Sequence, residues 1–326
     1  MKNAGRVLVA GSLLLFPFAC SVGAETESQK QAAAVLLNRY ETVVSARSRV
    51  LSQLHPGNPN QELGPKSLGL AFIYLMAGLK AIGPNALTAV EGGSDAVLTG
   101  AKGFMPPEGL GGVSYRTCHI AILRLGAAQT IAGEFSKVHA APIAGWRVWT
   151  WSIPPSEGYK TPTDFYAAIV ASSFFVLTNN GDDFREVANA LAKRAVPADL
   201  PSGRDLTALR AHAYWAYRAI RRAEGADTLA SGLSGLPVSA VALELFTEYD
   251  DGKLFFNILV PDDRSGSPPP GLPSSESIHF QRASIHFQRA GAGVWQAAID
   301  LKALTPPQQT AVVFQVMYYF AYGVFL

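Results

Sequence analysis

Between residues 95 and 180 the chain breaks into short β-branched and aromatic runs, each stopped by Gly, Pro or Asn. They read DAVLTGAKGF, VSYRTCHIAILRL, GWRVWTWSI, FYAAIVA and SFFVLTNN. Runs of this length and chemistry favour strands, because branched and aromatic side chains pack well on a pleated surface. A chain carrying five of them in succession must build a sheet and must then cover it. That requirement limits the fold more than any other feature of the sequence.

The last hundred residues add to the sheet. VSAVALELFTEY and LFFNILV flank Asp250-Asp251-Gly252-Lys253, and Asp-Gly suits the positive φ angles of a tight hairpin turn. DDRSGSPPPGLPSS is too rich in Pro to join a ladder. GVWQAAIDL reads as a further strand. After the Pro306-Pro307 break, the apolar positions Val316, Tyr318, Phe320, Tyr322, Val324 and Leu326 alternate, which predicts a buried closing strand.

Helices are expected elsewhere. Ala33, Leu36, Leu37, Tyr40, Val43 and Val44 recur at three and four, predicting one helix over 27–54. HPGNPNQELGP then forms a loop, and a second apolar helix follows over 67–82. Others are expected over 129–138, 183–193 and 205–223, the last a basic amphipathic segment with Arg204, Arg210, Arg218, Arg221 and Arg222 around an apolar face. Strands in sequential blocks with helices set apart predict an α+β fold. Its sheet is mainly antiparallel, with N-terminal helices packed against it and a C-terminal β-meander. The Gly-rich ASGLSGLP marks a seam near residue 230, dividing 25–230 from 231–326 or falling within one continuous domain.

The N-terminal 24 residues follow the plan of a secretory signal. Lys2 and Arg6 precede the apolar run Val7 to Phe18, and Val22-Gly23-Ala24 offers a small-residue cleavage site. The alternative is lipidation at Cys20, for which Pro17-Phe18-Ala19 is a poor match. The expectation is therefore an exported bacterial protein, periplasmic or extracellular. The apolar run is too short for a stop-transfer helix, so no transmembrane helix is expected in the mature chain.

Removing residues 1–24 takes away two basic residues and no acidic one, leaving 25 of each sign. A neutral chain lacks the field that draws a protein to phosphate backbones, which argues against nucleic acid as a partner. Cys118 is then the lone cysteine, which excludes an intrachain disulfide and a thiolate metal cluster.

Motifs with chemistry are scarce. HExxH, P-loop, dinucleotide-binding and GxSxG patterns are missing from the sequence, and SGLSG at 231–235 falls one residue short of a nucleophile elbow. Cys118 and His119 are neighbours on an expected strand, where adjacent side chains point to opposite faces. His55, His139 and His212 have no second ligand at a short regular spacing, so neither a metal nor a cofactor is expected. In NNGDDFRE, Asp182 or Asp183 is expected to cap the following helix, with Glu186 completing a capping box.

The best candidate for ligand contact is GWRVWTWS. Arg147, Trp149 and Trp151 share one face of a strand and would form a stacking platform for a saccharide or an aromatic ligand if exposed. The sequence thus points to a non-catalytic binding or envelope-assembly protein, with another envelope protein or a saccharide as partner. The competing reading is a secreted hydrolase whose site forms no linear motif.

Residues 277–290 repeat SIHFQRA without a change. On a strand, a shift of seven turns the second copy to the opposite face. One copy is therefore expected to pair in the sheet while the other forms a bulge, an overhang or a loop. Perfect identity is better explained by a recent tandem duplication, or by an assembly artefact, than by selection for a double motif.

Overall fold

A computed structural model describes residues 26–54, 72–102, 116–154, 162–193, 213–221, 241–250, 252–259, 278–280, 283–285, 288–291 and 294–322. Its centre is a twelve-stranded sheet in which every pairing is antiparallel. The strands are β1 (Thr42–Arg47), β2 (Ser94–Lys102), β3 (Arg116–Leu123), β4 (Ala140–Ile143), β5 (Trp146–Ile153), β6 (Thr163–Val170), β7 (Phe174–Thr178), β8 (Tyr214–Arg221), β9 (Val241–Asp250), β10 (Lys253–Leu259), β13 (Gln288–Gly291) and β14 (Val294–Asp300). Their order across the sheet is β13-β14-β10-β9-β8-β1-β2-β3-β7-β6-β5-β4. The expected α+β architecture, with its large antiparallel sheet and C-terminal meander, is what the chain adopts. β8 and β9 pair directly, so one sheet runs across residue 230.

Helices cover both faces. On one lie α2 (Ser48–Leu54), α3 (Ile73–Lys80), α4 (Pro84–Gly92), α5 (Ala127–Glu134) and α7 (Pro306–Tyr322). Val50, Leu75, Leu79, Val90, Ile131 and Val312 from these helices, with Phe135 just after α5, pack on Val44, Val97, Ala121, Phe175 and Phe256 of the sheet. On the other face α1 (Glu27–Leu37) and α6 (Gly181–Ala192) bury Leu36, Phe184, Val187 and Leu191 against Val43, Leu98, Ile120 and Val176. Both faces are apolar, so the central strands show no polar alternation.

Three elements differ from the sequence expectation. The helix expected over 27–54 is two helices with β1 between them. Asn38 ends α1, and the β-branched Thr42-Val43-Val44 run takes a central place between β2 and β8. The expected helix over 205–223 holds the strand β8 instead, with residues 205–212 outside the described set. Tyr214, Trp215, Tyr217 and Ile220 are good strand formers, and pairing on both sides settles their state. The basic amphipathic helix is accordingly absent from 213–221.

The third difference is the closing segment, which is helical. Pro306 and Pro307 begin α7, where a missing N–H costs nothing, and Thr305 donates both its N–H and its hydroxyl to the Gln308 side chain at 3.0 and 2.9 Å. A long apolar run satisfies either period, and seventeen residues is helix length rather than strand length. Among the described residues no helix is long and apolar enough to cross a membrane.

The β9–β10 hairpin forms as expected. Asp250 pairs with Lys253, and Gly252 takes φ +80°. The duplicated stretch divides. β11 (Ile278–Phe280) of the first copy pairs with β12 (Ala283–Ile285) in a separate two-stranded ladder, matching Ile278 with Ile285. Only the end of the second copy enters the large sheet, as β13 beside β14. The hairpin thus draws on both copies, since Ser284 and Ile285 of β12 begin the second, and it lies against α7 outside the large sheet. Deleting residues 277–283 removes β11 and leaves one complete SIHFQRA to supply β13. We expect that variant to unfold cooperatively in urea with an unchanged slope; loss of cooperativity would show that the hairpin is required.

Candidate functional site

The chemistry-bearing residues gather on the two faces of β1, β2 and β3, at the end where β1 begins, β2 ends and β3 begins. On the α1/α6 face the loop from β7 shapes the start of α6. Thr178 Oγ1 accepts from Asn180 N–H at 3.0 Å, and Asn180 Oδ1 accepts from the N–H groups of Asp182 and Asp183 at 3.1 and 3.0 Å. Asn180 is therefore the cap, not Asp182 or Asp183. Glu186 turns away to pair with Arg39, so the expected capping box does not form.

With its backbone N–H taken by the cap, Asp183 presents its carboxylate to the sheet. It is buried in the first turn of α6, where the helix dipole favours a negative charge. Arg116 and Lys102 approach its Oδ1 at 3.7 and 4.0 Å. Tyr40 lies across Gly100, with the Lys102 ammonium 5.8 Å from its ring centroid. Burial, together with the neighbouring Cys118 and Asp183, pushes the Tyr40 hydroxyl well above the usual phenol range. Burial likewise pushes the Cys118 thiol up to about 12, against the opposing effect of Tyr40. Thiol and phenol are both held protonated, so this face offers a packed, charge-tethered joint rather than a nucleophile.

The opposite face of the same strands is polar at this end. The pairing register sets two rows. Arg218, Thr42, Ala101 and Thr117 form one across β8, β1, β2 and β3. Thr247, Ala216, Val44, Thr99 and His119 form the next, beginning on β9. Thr42, Thr99, Thr117, His119 and Thr247 are all buried. Thr99 Oγ1 lies 2.7 Å from His119 Nδ1. Burial lowers the His119 pKa to about 3, so the ring is neutral across the physiological range. Thr42 Oγ1, Thr117 Oγ1, Thr247 Oγ1 and His119 Nε2 are buried without a hydrogen-bond partner in this structure. A buried polar atom left in that state costs about 1–3 kcal/mol, so several on adjoining positions are not an incidental expense.

Cys118 and His119 diverge as expected for neighbours on a strand. Cys118 packs with Ile120 and Leu36 under α1, whereas His119 faces Thr99 on the other side. Arg147 is exposed on β5. Trp149, 5% exposed, has its ring 4.8 Å from Phe135, and Trp151 stacks on Phe165 at 5.5 Å with its indole N–H donating to Gly78 O. The two indoles are packed against α3 and α5, which is a core arrangement rather than an open platform. His139 is exposed, and its carbonyl accepts from Thr150 N–H. Cys20, His55, His212, the SGLSG segment and His286 lie outside the described residues. Among the described residues no three His, Cys, Asp or Glu side chains converge as a metal site would require.

Sequence reasoning reached His119 but missed the threonines around it. The available clue was Thr at inward positions of strands that are otherwise apolar, in register with a histidine. Glu248 was missed as well: on β9 it stands between Trp215 and Phe255, and burial raises its pKa to about 8.

No family model matches the chain, and a search of curated proteins gives no significant match. Among solved structures, the chain is similar to one described as crystal form I of TP0453. The likeness has a TM-score of 0.43 and 10% identity, covering 87% of this chain and 96% of that one. A similarity this remote assigns neither chemistry nor partner.

Proposed function

We propose that this chain is an exported, non-catalytic binding protein. The observation that carries the reading is the state of its potential catalytic groups. Cys118 and Tyr40 are held protonated by burial, and His119 is buried, neutral and directed away from Cys118. A thiol at about 12 is not a nucleophile at neutral pH, and an imidazole at about 3 is a poor general base. What remains at this end of the sheet is a set of buried hydrogen-bonding groups on a rigid scaffold, which suits recognition better than turnover. The leader-like residues 1–24 support export.

Two measurements test the reading. Native mass spectrometry of protein purified from its own envelope is expected to show a non-covalent species bound in fixed stoichiometry. Iodoacetamide is expected to leave Cys118 unlabelled in the folded protein and to label it at the rate of unfolding. Rapid labelling of the native thiol would indicate an activated cysteine and overturn the non-catalytic assignment.

A further inference from the structure

We infer that the duplicated stretch is a register switch, in which the first copy replaces the second on β14 after a slip of one whole repeat. The inference is independent of the binding reading above and concerns how the chain moves.

One repeat occupies two settings in the same molecule. Residues 277–283 and 284–290 both read SIHFQRA. Ala283, the last residue of the first copy, pairs with Phe280 in the small hairpin. Ala290, the last residue of the second, belongs to β13 at the rim of the large sheet. Local sequence therefore does not assign these residues to a ladder; their surroundings do.

Register is normally pinned because a slipped strand presents the wrong side chains to its neighbour. Here a slip of one repeat presents the same ones. In the resting register Gln288 faces Gln296 and Arg289 faces Trp295. After the slip Gln281 faces Gln296, Arg282 faces Trp295, and Ala283 takes the place of Ala290. The first difference is Ser284 in the place of Gly291. Arg282 thus inherits the contacts that Arg289 makes with β14.

The neighbours permit the exchange. β14 is a fixed template, paired with β10 from Val294 to Asp300 and fully buried at Ala297. β13 is the outermost strand at its end of the sheet, and its Gln288 and Arg289 are exposed. Replacing it breaks one short ladder and leaves the core covered.

Two costs favour the resting register. Residues 292–293 join β13 to β14, whereas residues 285–293 would join them after the slip. Closing the longer loop is about tenfold less favourable. The slip also draws Ser284 from its pairing with His279 and dissolves the β11–β12 ladder against α7. The exchanged register is therefore a minor state, on the order of 1% of molecules. Ser284 cannot serve β12 and β14 at once, so the hairpin on α7 and the slipped strand exclude one another. That exclusion makes the element two-state.

Disulfide trapping in the full chain tests the switch, with each bond located by peptide mapping. Residues directly opposite on paired strands are close enough to bridge. The pair Gln288→Cys, Gln296→Cys reports the resting register, and Gln281→Cys, Gln296→Cys the exchanged one. His279→Cys, Gln296→Cys is out of phase with both. All three lose the Gln296 contact to Asn257, so that loss cancels in the comparison. In a glutathione buffer the exchanged pair is expected to close about a hundredfold more slowly than the resting pair. The out-of-phase pair is expected to lag by at least roughly a further factor of ten. Equal closure of the exchanged and out-of-phase pairs, closure of the exchanged pair only at the rate of global unfolding, or no closure of either the resting or the exchanged pair would each overturn the switch. Hydrogen exchange on the unsubstituted chain gives a second reading that needs no cysteine. The β12 and β13 amides are expected to open together, and deleting residues 277–283 is expected to slow exchange in β13. Unchanged β13 exchange after the deletion would equally rule the switch out.

Discussion

Replacing Gly100 with alanine is expected to destabilise the protein by about 2–3 kcal/mol, at the upper end for a single added methyl group. A Cβ at this position would stand 2.6 Å from Tyr40 Cδ2, 2.7 Å from its Cγ and 3.0 Å from Leu36 Cδ2. Neither neighbour can retreat. Leu36 is fully buried under α1, and Tyr40 is fixed between Gly100, Lys102 and Cys118. The clash is with ring atoms near the main chain, so rotating the ring does not relieve it.

A double-mutant cycle isolates the cause. Tyr40→Ala alone is expected to cost several kcal/mol as a large-to-small core change. In that background Gly100→Ala should cost little, because the atom it meets is gone. Urea unfolding followed by tryptophan fluorescence measures all four corners. Equal costs of Gly100→Ala in both backgrounds would mean that Tyr40 does not occupy the space above Gly100.

Stability should be greatest on a plateau between pH 4.5 and 6.5, falling on both sides for different reasons. His119 titrates at about 3 when folded and at 6.5 as a free side chain. Between those values the unfolded chain binds more protons, so stability is lost as the pH falls. Glu248 titrates at about 8 when folded and at 4.5 when free. Between those values the folded chain binds more protons, so stability is lost as the pH rises. From 4.5 to 6.5 the two slopes oppose one another and largely cancel.

Above 6.5 only the Glu248 slope remains, and below 4.5 only that of His119. Each approaches at most about 1.4 kcal/mol per pH unit. Glu248→Gln is expected to flatten the alkaline side and His119→Gln the acid side, each leaving the other in place. A urea-midpoint profile across this range decides it: an alkaline decline that persists in Glu248→Gln would assign that limb to another group.

Which elements were legible in the sequence depended on what decided them. β5, β6 and β7 were readable as short branched and aromatic runs because Gly145 and Pro154 bound β5, Pro162 precedes β6 and Asn179-Asn180 follow β7. Only the Ala171-Ser172-Ser173 turn between β6 and β7 lacks such a residue. The β9–β10 hairpin was readable because a positive φ at Gly252 is a local demand. β1 and β8 were not. Each pairs on both edges with distant strands and is buried on both faces, so no period of two survives to compete with an accidental helical spacing. α7 was misread for the complementary reason, since a run apolar at every position fits any period and only its length and its Pro-Pro start favour a helix.

The site was less legible than the fold. That Cys118 and His119 diverge followed from strand geometry alone. Trp149 and Trp151 drew attention by residue type, yet residue type does not say whether α3 and α5 lie above them. Thr42, Thr99 and Thr117 are ordinary strand residues in isolation. Their meaning arises only when register places them around His119, and register between distant strands is a tertiary property.

The order of strands also dictates how the chain must assemble. β2 to β7 follow one another within residues 94–178, and β8 to β14 within residues 214–300. Among the described residues, the ladder joining these two blocks is β1 on β8, which brings residues 42–46 against 214–218. Closing so wide a gap in sequence carries a loop-entropy cost that no nearby contact offsets, so this junction is a slow step in folding. The N-terminal block can form its own local hairpins as it emerges, but β1 keeps an open edge until β8 arrives. A molecule caught at that stage presents an unpaired, apolar strand edge at what becomes the middle of the finished sheet, and that edge is its most exposed route to self-association.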